Sequence, residues 1–372
     1  MRRLIWVALT ALLCLSCTGC SITSELENQA YVLVLGLDRG TDGSLEFTVR
    51  VPRIGSQDMG SKDGSAAKDE KYMVFSACGQ DYIQALEALQ WATPRRMNLS
   101  HIEMIVASET LAREPGFGDL IDQIAEIPHL YTTAHFVICA GKARSFIESE
   151  QVILGTRLSS DIEATLAHYA SQGYIPKCSF ADAYYRTCSV YSDPVAIHAY
   201  TAQTVQPTVS TVNPEESDLM STPVQQRFNG TALMRDGTMV GSLDIDQTRL
   251  LNLIQGDSKS VVLSLEHISH ELTATLPVEK KASVENGMLH LKLSFQMKTS
   301  VPIDMYTAAQ LERRLKDAAT ALVTTCQRLK VDPFGFAEEV VRFYATVHEW
   351  LSCGWREHFS KADVEIQVIV RN

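Results

Sequence analysis

Between residues 72 and 149 the chain alternates three β-prone runs with three helical ones: "YMVFSA", "DYIQALEALQWAT", "HIEMIVAS", "FGDLIDQIAEI", "TAHFVICA" and "ARSFIES". No other feature restricts the fold as much. Strands separated by helices of this length favour crossover units, and the partly parallel sheet that results needs helices packed on it. On the first helix Tyr82, Ile83, Leu86 and Leu89 recur at helical spacing and are expected in the core, with Trp91 off that stripe. On the second, Asp119, Asp122 and Glu126 mark a solvated side. Upstream, the apolar run "AYVLVLGLD" at 30–38 and the alternating "LEFTVRVPR" meet at Asp42-Gly43 and predict a hairpin. Residues 54–70 lack apolar periodicity and concentrate Gly, Ser, Asp and Lys, which predicts a loop.

Further helices are predicted over 159–171 and 180–188, and a short strand over 195–200. Residues 201–227 turn rich in Thr, Ser, Pro and Gln with few large apolar side chains. They are expected to link an N-terminal domain over 20–200, possibly of two subdomains, to a C-terminal domain over 228–372. Beyond the linker, Asp236-Gly237 signals a hairpin, and Asp244 offers an N-cap for a helix that stops at Gly256. Strands follow near 261–266 and 271–277, then a pair turning at Asn286-Gly287. Two long helices, "TAAQLERRLKDAATALVTTCQRLKV" and "FGFAEEVVRFYATVHEWLSC", are divided by Asp332-Pro333, and an alternating strand, "ADVEIQVIVR", closes the chain. The fold class is therefore α+β: a multi-domain chain of mixed sheets packed with helices, whose C-terminal long helices lead into a final strand that docks into its own sheet.

The N-terminus follows a different logic. Met1-Arg2-Arg3 and the uncharged run "LIWVALTALLCL" have the charge and length of a signal peptide, short of the ~20 residues a bilayer-spanning helix requires. Cys14, Cys17 and Cys20 stand three apart, as at the start of an iron–sulfur run, but the fourth cysteine position holds Ser24. Thr18-Gly19-Cys20 instead resembles a bacterial lipoprotein processing site, with Cys17 standing where leucine is usual. On that reading residues 1–19 are a lipoprotein signal peptide and Cys20 is the lipidation site; an uncleaved membrane anchor and a metal site are the competing readings. Two or more acyl chains give stable attachment, whereas one gives only marginal binding.

The net charge of the 372 residues is −11, and removing Arg2 and Arg3 makes the chain more acidic still. That balance argues against nucleic acid, or an anionic membrane face, as a broad partner, since each rewards a clustered Lys/Arg surface and no run of basic residues is present. Six further cysteines, Cys78, Cys139, Cys178, Cys188, Cys326 and Cys353, are expected mostly as buried thiols. Cys139 lies in an apolar strand, and Cys178 with Cys188 is the pair most worth testing as a disulfide. No phosphate loop, nucleophile elbow or zinc helix occurs. His267 and His270 three apart on a strand face opposite sides and are not expected to share an ion. His101 and Glu103 would share a strand face and could exchange a proton, with a structural pair the plainer reading. Arg95 and Arg96 are expected at a helix end, complementing its negative terminus, with an acidic patch of a partner as the alternative use.

These pieces have a family resemblance. "TGC" followed by Glu25-Leu26 and "AYVLVLGLDRGTDGSLEFTVRV" resembles the start of mature Ger(x)C proteins, the lipoprotein C subunits of spore germinant receptors. "PRRMNLSHIEMIVASETLA", "GTALMRDGTMVGSLDIDQTRLLNLIQG", "DPFGFAEEVVRFY" and "WREHFSKADVEIQVIV" resemble later segments of that family, in order along nearly the whole chain. Ser21 departs from the tryptophan common there, and the stretches at 54–70 and 201–227 look longer than usual. The resemblance implies a non-enzymatic, membrane-anchored subunit at the outer face of the spore inner membrane. Such a subunit works with integral membrane A and B subunits in nutrient-triggered germination. It implies no cofactor, no metal and no catalytic residue, and carries over Cys20 alone. A lipid-anchored solute-binding protein that captures the nutrient itself is the alternative.

Overall fold

The computed structural model describes residues 28–53, 72–149, 158–200, 228–265, 268–285 and 288–371. The expected signal peptide with Cys20, the expected loop at 54–70, the expected linker at 201–227, His267 and the expected turn at Asn286-Gly287 lie outside the described residues.

The first half runs β1 (Gln29–Tyr31), β2 (Val34–Arg39), β3 (Leu45–Pro52), β4 (Tyr72–Gly79), α1 (Tyr82–Trp91), β5 (Arg96–Asn98), β6 (Met104–Ser108), α2 (Glu109–Ala112), α3 (Phe117–Ala125), β7 (His135–Ala140), α4 (Ala143–Ser149), α5 (Leu158–Ser171), α6 (Phe180–Cys188) and β8 (Val195–Tyr200). The second half runs β9 (Phe228–Arg235), β10 (Thr238–Leu243), α7 (Ile245–Gln255), β11 (Ser260–Leu265), β12 (Ile268–Ala274), β13 (Glu279–Glu285), β14 (Met288–Thr299), α8 (Met305–Leu329), α9 (Phe336–Val341), α10 (Val347–Ser352), α11 (Trp355–Lys361) and β15 (Asp363–Arg371).

An eight-stranded mixed sheet in the order β10-β9-β8-β7-β6-β2-β3-β4 dominates the first half. Its centre, β2-β6-β7-β8, is parallel, as the helical crossovers dictate. Strands β9 and β10 follow residues 201–227 in sequence yet extend this sheet from β8, so it takes strands from both sides of that segment. One face packs Leu35, Phe47, Ile105 and Phe136 against α1, α2, α3 and α6; the other packs Val106, Val137 and Ile197 against α4 and α5. Phe136 sits between Phe117 and Phe180, with ring centroids 6.5 and 5.5 Å away. Such aromatic contacts add about 0.5–1.5 kcal/mol beyond area burial.

A second sheet orders β11-β12-β14-β13, and β15 pairs in parallel with β14 from His290↔Asp363 to Lys298↔Arg371. The last strand therefore docks into its own domain's sheet, as expected. Its core continues into the first sheet: Val195, Leu233 and Leu243 belong to the same cluster as α7 and the face of α8 that carries Leu311, Leu315, Leu322 and Val323. The α+β class and its C-terminal helices before a final strand are thus the observed architecture.

Three local expectations are corrected. The run at 30–38 divides into β1 and β2, because Val32 N–H turns to Asn98 O while Leu33 N–H turns to Arg50 O, and the chain changes sheets between them. Ile83 is 52% exposed; α1 buries Ala85 and Leu89, and Ile83 lies about 100° around the helix from Tyr82. The second long C-terminal helix, expected over 334–353, is two short ones, α9 and α10. The Thr346 hydroxyl caps α10 by accepting Glu349 N–H at 3.2 Å, which interrupts a continuous helix, and just beyond the expected run Gly354 starts α11 in a left-handed conformation.

Candidate functional site

The two halves meet at a cleft of about 420 Å³, lined by the segment after α6, the β9–β10 turn and the short helices α10 and α11. Its geometry begins with the β9–β10 turn. Asp236 and Gly237 have φ of 51° and 72°, the left-handed pair a two-residue hairpin requires. A Cβ on Gly237 would lie 2.4 Å from the Cα of Gly118, so this turn rests directly on the first turn of α3. That contact holds the Asp236 carboxylate where Arg356, on α11, reaches it: Nη1 donates to Oδ2 at 2.9 Å. Arg356 Nη2 also donates to Asp193 Oδ1 at 2.8 Å, and Asp193 Oδ2 accepts the backbone N–H of Asp332 at 2.8 Å.

Asp332 is buried before α9, whose N-cap, Gly335, has no side chain to offer. Its carboxylate supplies the cap from three residues away, accepting Phe334 N–H at 3.2 Å and Ala337 N–H at 2.8 Å. Burial pushes the Asp332 carboxyl up to about 6 in spite of those bonds, and the Asp193 charge adds to the rise. Burial opposes the charge of Arg356, and the carboxylates of Asp193 and Asp236 outweigh it. Trp350 Nε1 donates to Val190 O at 2.8 Å, and the Trp350 and Trp355 rings lie 5.7 Å apart in a stack that continues to Phe359. Arg356, Asp193 and Asp236 are thus matched to one another, while Glu357 on the rim pairs with Lys330. What the arrangement does chemically is lock two halves of a chain together.

The residues singled out in the sequence distribute as follows. His101 and Glu103 do not share a strand face, since β6 starts only at Met104. His101 is exposed with its ring against the edge of Tyr31 at 5.0 Å, and burial together with Glu163 raises the Glu103 carboxyl. His270 lies half-buried on β12. Arg95 and Arg96 are beyond the end of α1, not in its last turn; Arg96 opens β5. The six cysteines are free, with Cys139, Cys178 and Cys326 buried. Cys178 precedes the nine-residue α6 by two positions and Cys188 ends it, and at about 1.5 Å per residue the helix separates them beyond disulfide reach. No group of three His, Cys, Asp or Glu suited to a metal occurs among the described residues.

One buried histidine escaped the sequence reading. His198 on β8 is 3% exposed, with Nε2 3.5 Å from Glu109 Oε2, and burial lowers its pKa against the opposing pull of the Glu109 carboxylate. A histidine inside "VAIHAY" was the available signal. Among the described residues no helix is long and apolar enough to cross a membrane.

Comparison with known proteins places this architecture. Residues 23–198 match the spore germination protein N-terminal domain, and residues 229–371 match the C-terminal domain described as spore germination B3/GerAC-like. The chain is 22% identical to spore germination protein KC of Bacillus subtilis (strain 168), over 99% of this chain and 94% of that protein. It is 23% identical to YfkR of the same organism, over 100% and 96%. The crystal structure of the GerBC protein shares its fold at a TM-score of 0.50 and 13% identity, covering 91% of this chain and 96% of that one. These features describe a spore germination protein. The chain belongs to the Ger(x)C family.

Proposed function

We propose that this chain is the lipoprotein C subunit of a spore germinant receptor, a non-enzymatic component that acts with integral membrane A and B subunits in nutrient-triggered germination. It is held at the outer face of the spore inner membrane by acylated Cys20, after removal of residues 1–19. The observation that carries the reading is the match to both spore germination domains, in order, along almost the entire chain. The internal pairing of Asp193, Asp236 and Arg356 supports an assembly role over nutrient capture, because a binding pocket needs polar groups that converge on a ligand rather than on each other.

The reading is tested by Cys20→Ala in the native chain. Loss of the protein from spore membranes, with impaired nutrient germination, is expected; full membrane retention together with normal germination would overturn it.

A further inference from the structure

The N-terminal ends of the parallel strands β2, β6 and β7 come together at one end of the first sheet, and the chain enters the fold there. β1 pairs with β5 through Gln29↔Arg96, and the Asn98 side-chain amide donates to Gln29 Oε1. Gln90, in the last turn of α1, binds this corner with both ends of its amide: Nε2 donates to Arg95 O at 2.8 Å and Oε1 accepts Met97 N–H at 2.9 Å. Trp91 is therefore fixed beside the point of entry, and it is 86% exposed. Tyr131, 49% exposed, joins it, since its N–H donates to Leu99 O directly after β5. Arg53, which follows β3, emerges at the same end because β3 runs antiparallel to β2, with Val34 opposite Arg50. Arg53, Arg95 and Arg96 form no ion pair among the described residues, although the chain carries a net charge of −11.

Chain length now restricts what lies opposite. Eight residue steps separate Cys20 from Asn28, the first described residue, and an extended chain covers at most about 28 Å in that distance. If Cys20 is acylated, this end of the sheet is the part of the molecule the tether keeps nearest the bilayer. Tryptophan and tyrosine settle at the headgroup level of membranes, and arginine forks bind phosphate. The acidic remainder is repelled by the same surface, so the charge asymmetry orients the body as well as attracting it.

We infer that the end of the first sheet bearing Trp91, Tyr131, Arg53, Arg95 and Arg96 is a membrane-facing surface that seats on the phospholipid headgroup layer. The inference rests on the proposed acylation of Cys20 and goes beyond it by fixing which way the tethered body faces. It also accounts for a cationic site on an acidic chain: its arginines come from separate segments, so no basic run betrays them.

The test uses the full, acylated chain reconstituted in vesicles of phosphatidylcholine and phosphatidylglycerol, with the acyl state read separately by mass spectrometry. Trp350 and Trp355 are buried, at 2% and 8% exposure, so the lipid-sensitive tryptophan signal of the described residues belongs to Trp91. Quenching of that emission by brominated phospholipids is expected. Trp91→Phe should abolish it, and Arg95→Glu with Arg96→Glu should reduce it severalfold while acylation and attachment persist. An acylated, attached chain whose Trp91 is untouched by brominated lipid would overturn the orientation and leave the anchor standing. So would a Trp91 shielded only when a protein partner is added. An unmodified Cys20 would instead overturn the reading beneath it.

Discussion

The cleft between the two halves and the β1–β5 corner both gather arginines and tryptophans, and they use them in opposite ways. At the cleft Arg356 is matched to Asp193 and Asp236, and Trp350 is buried with its indole N–H bonded to Val190 O. At the corner Arg96 and Trp91 face solvent, Arg95 is half-buried, and the arginines have no charged partner among the described residues. Side chains of the same types thus stabilise the fold where their partners lie inside the molecule, and are available to another surface where they do not. A buried ion pair is expensive to break because the remaining charge stays desolvated. An exposed unpaired arginine costs almost nothing to replace.

The contrast breaks most visibly at Trp350. Trp350→Ala removes a 2% exposed ring, its hydrogen bond, its edge contact with Tyr344 and its tilted contact with Trp355, and is expected to cost about 3–5 kcal/mol of unfolding free energy in a urea titration. Arg356→Ala should cost about 2 kcal/mol, toward the low end for a buried pair because the guanidinium is 37% exposed while Asp193 is 5% exposed. A loss of only a few tenths would mean the cleft pair behaves like any surface pair.

A pH series sharpens the same point. Asp332 has a folded pKa near 6 against an ordinary value of 3.8, so the folded chain binds its proton more tightly than the unfolded one. Its contribution is complete below the unfolded value and is lost as pH rises through the folded one, a fall in stability between about pH 4 and 6. Asp332→Asn should flatten that segment of the curve; an unchanged slope would place the titration elsewhere. The smallest effect is expected at the corner. Arg95→Glu with Arg96→Glu should shift stability by no more than about 0.5 kcal/mol, even as it weakens contact with lipid.

Local chemistry made much of the fold legible. Asp236-Gly237 predicts a turn that the observed positive φ values bear out, and Asp244 caps α7 with Gln247 in a reciprocal box that ends at left-handed Gly256. Cys139 is the buried strand thiol its apolar neighbours suggest. What stayed hidden depends on distance along the chain. Asp193 and Arg356 are 163 positions apart, and nothing near either announces the other. Asp332 read as a break before proline because its capping of α9 requires the buried geometry. His101 with Glu103, and Cys178 with Cys188, were paired by spacing alone, and the start of β6 and the length of α6 separate them. The corner arginines looked like helix-end cations because a sequence does not show where α1 stops relative to β5.

The orientation of the body depends on the tether. Intact mass measurement of the mature protein extracted from spore membranes reads it directly. The account predicts an N-terminus at Cys20 carrying a thioether-linked diacylglycerol, with residues 1–19 gone. A chain that retains Met1, or starts elsewhere with an unmodified Cys20, would contradict it.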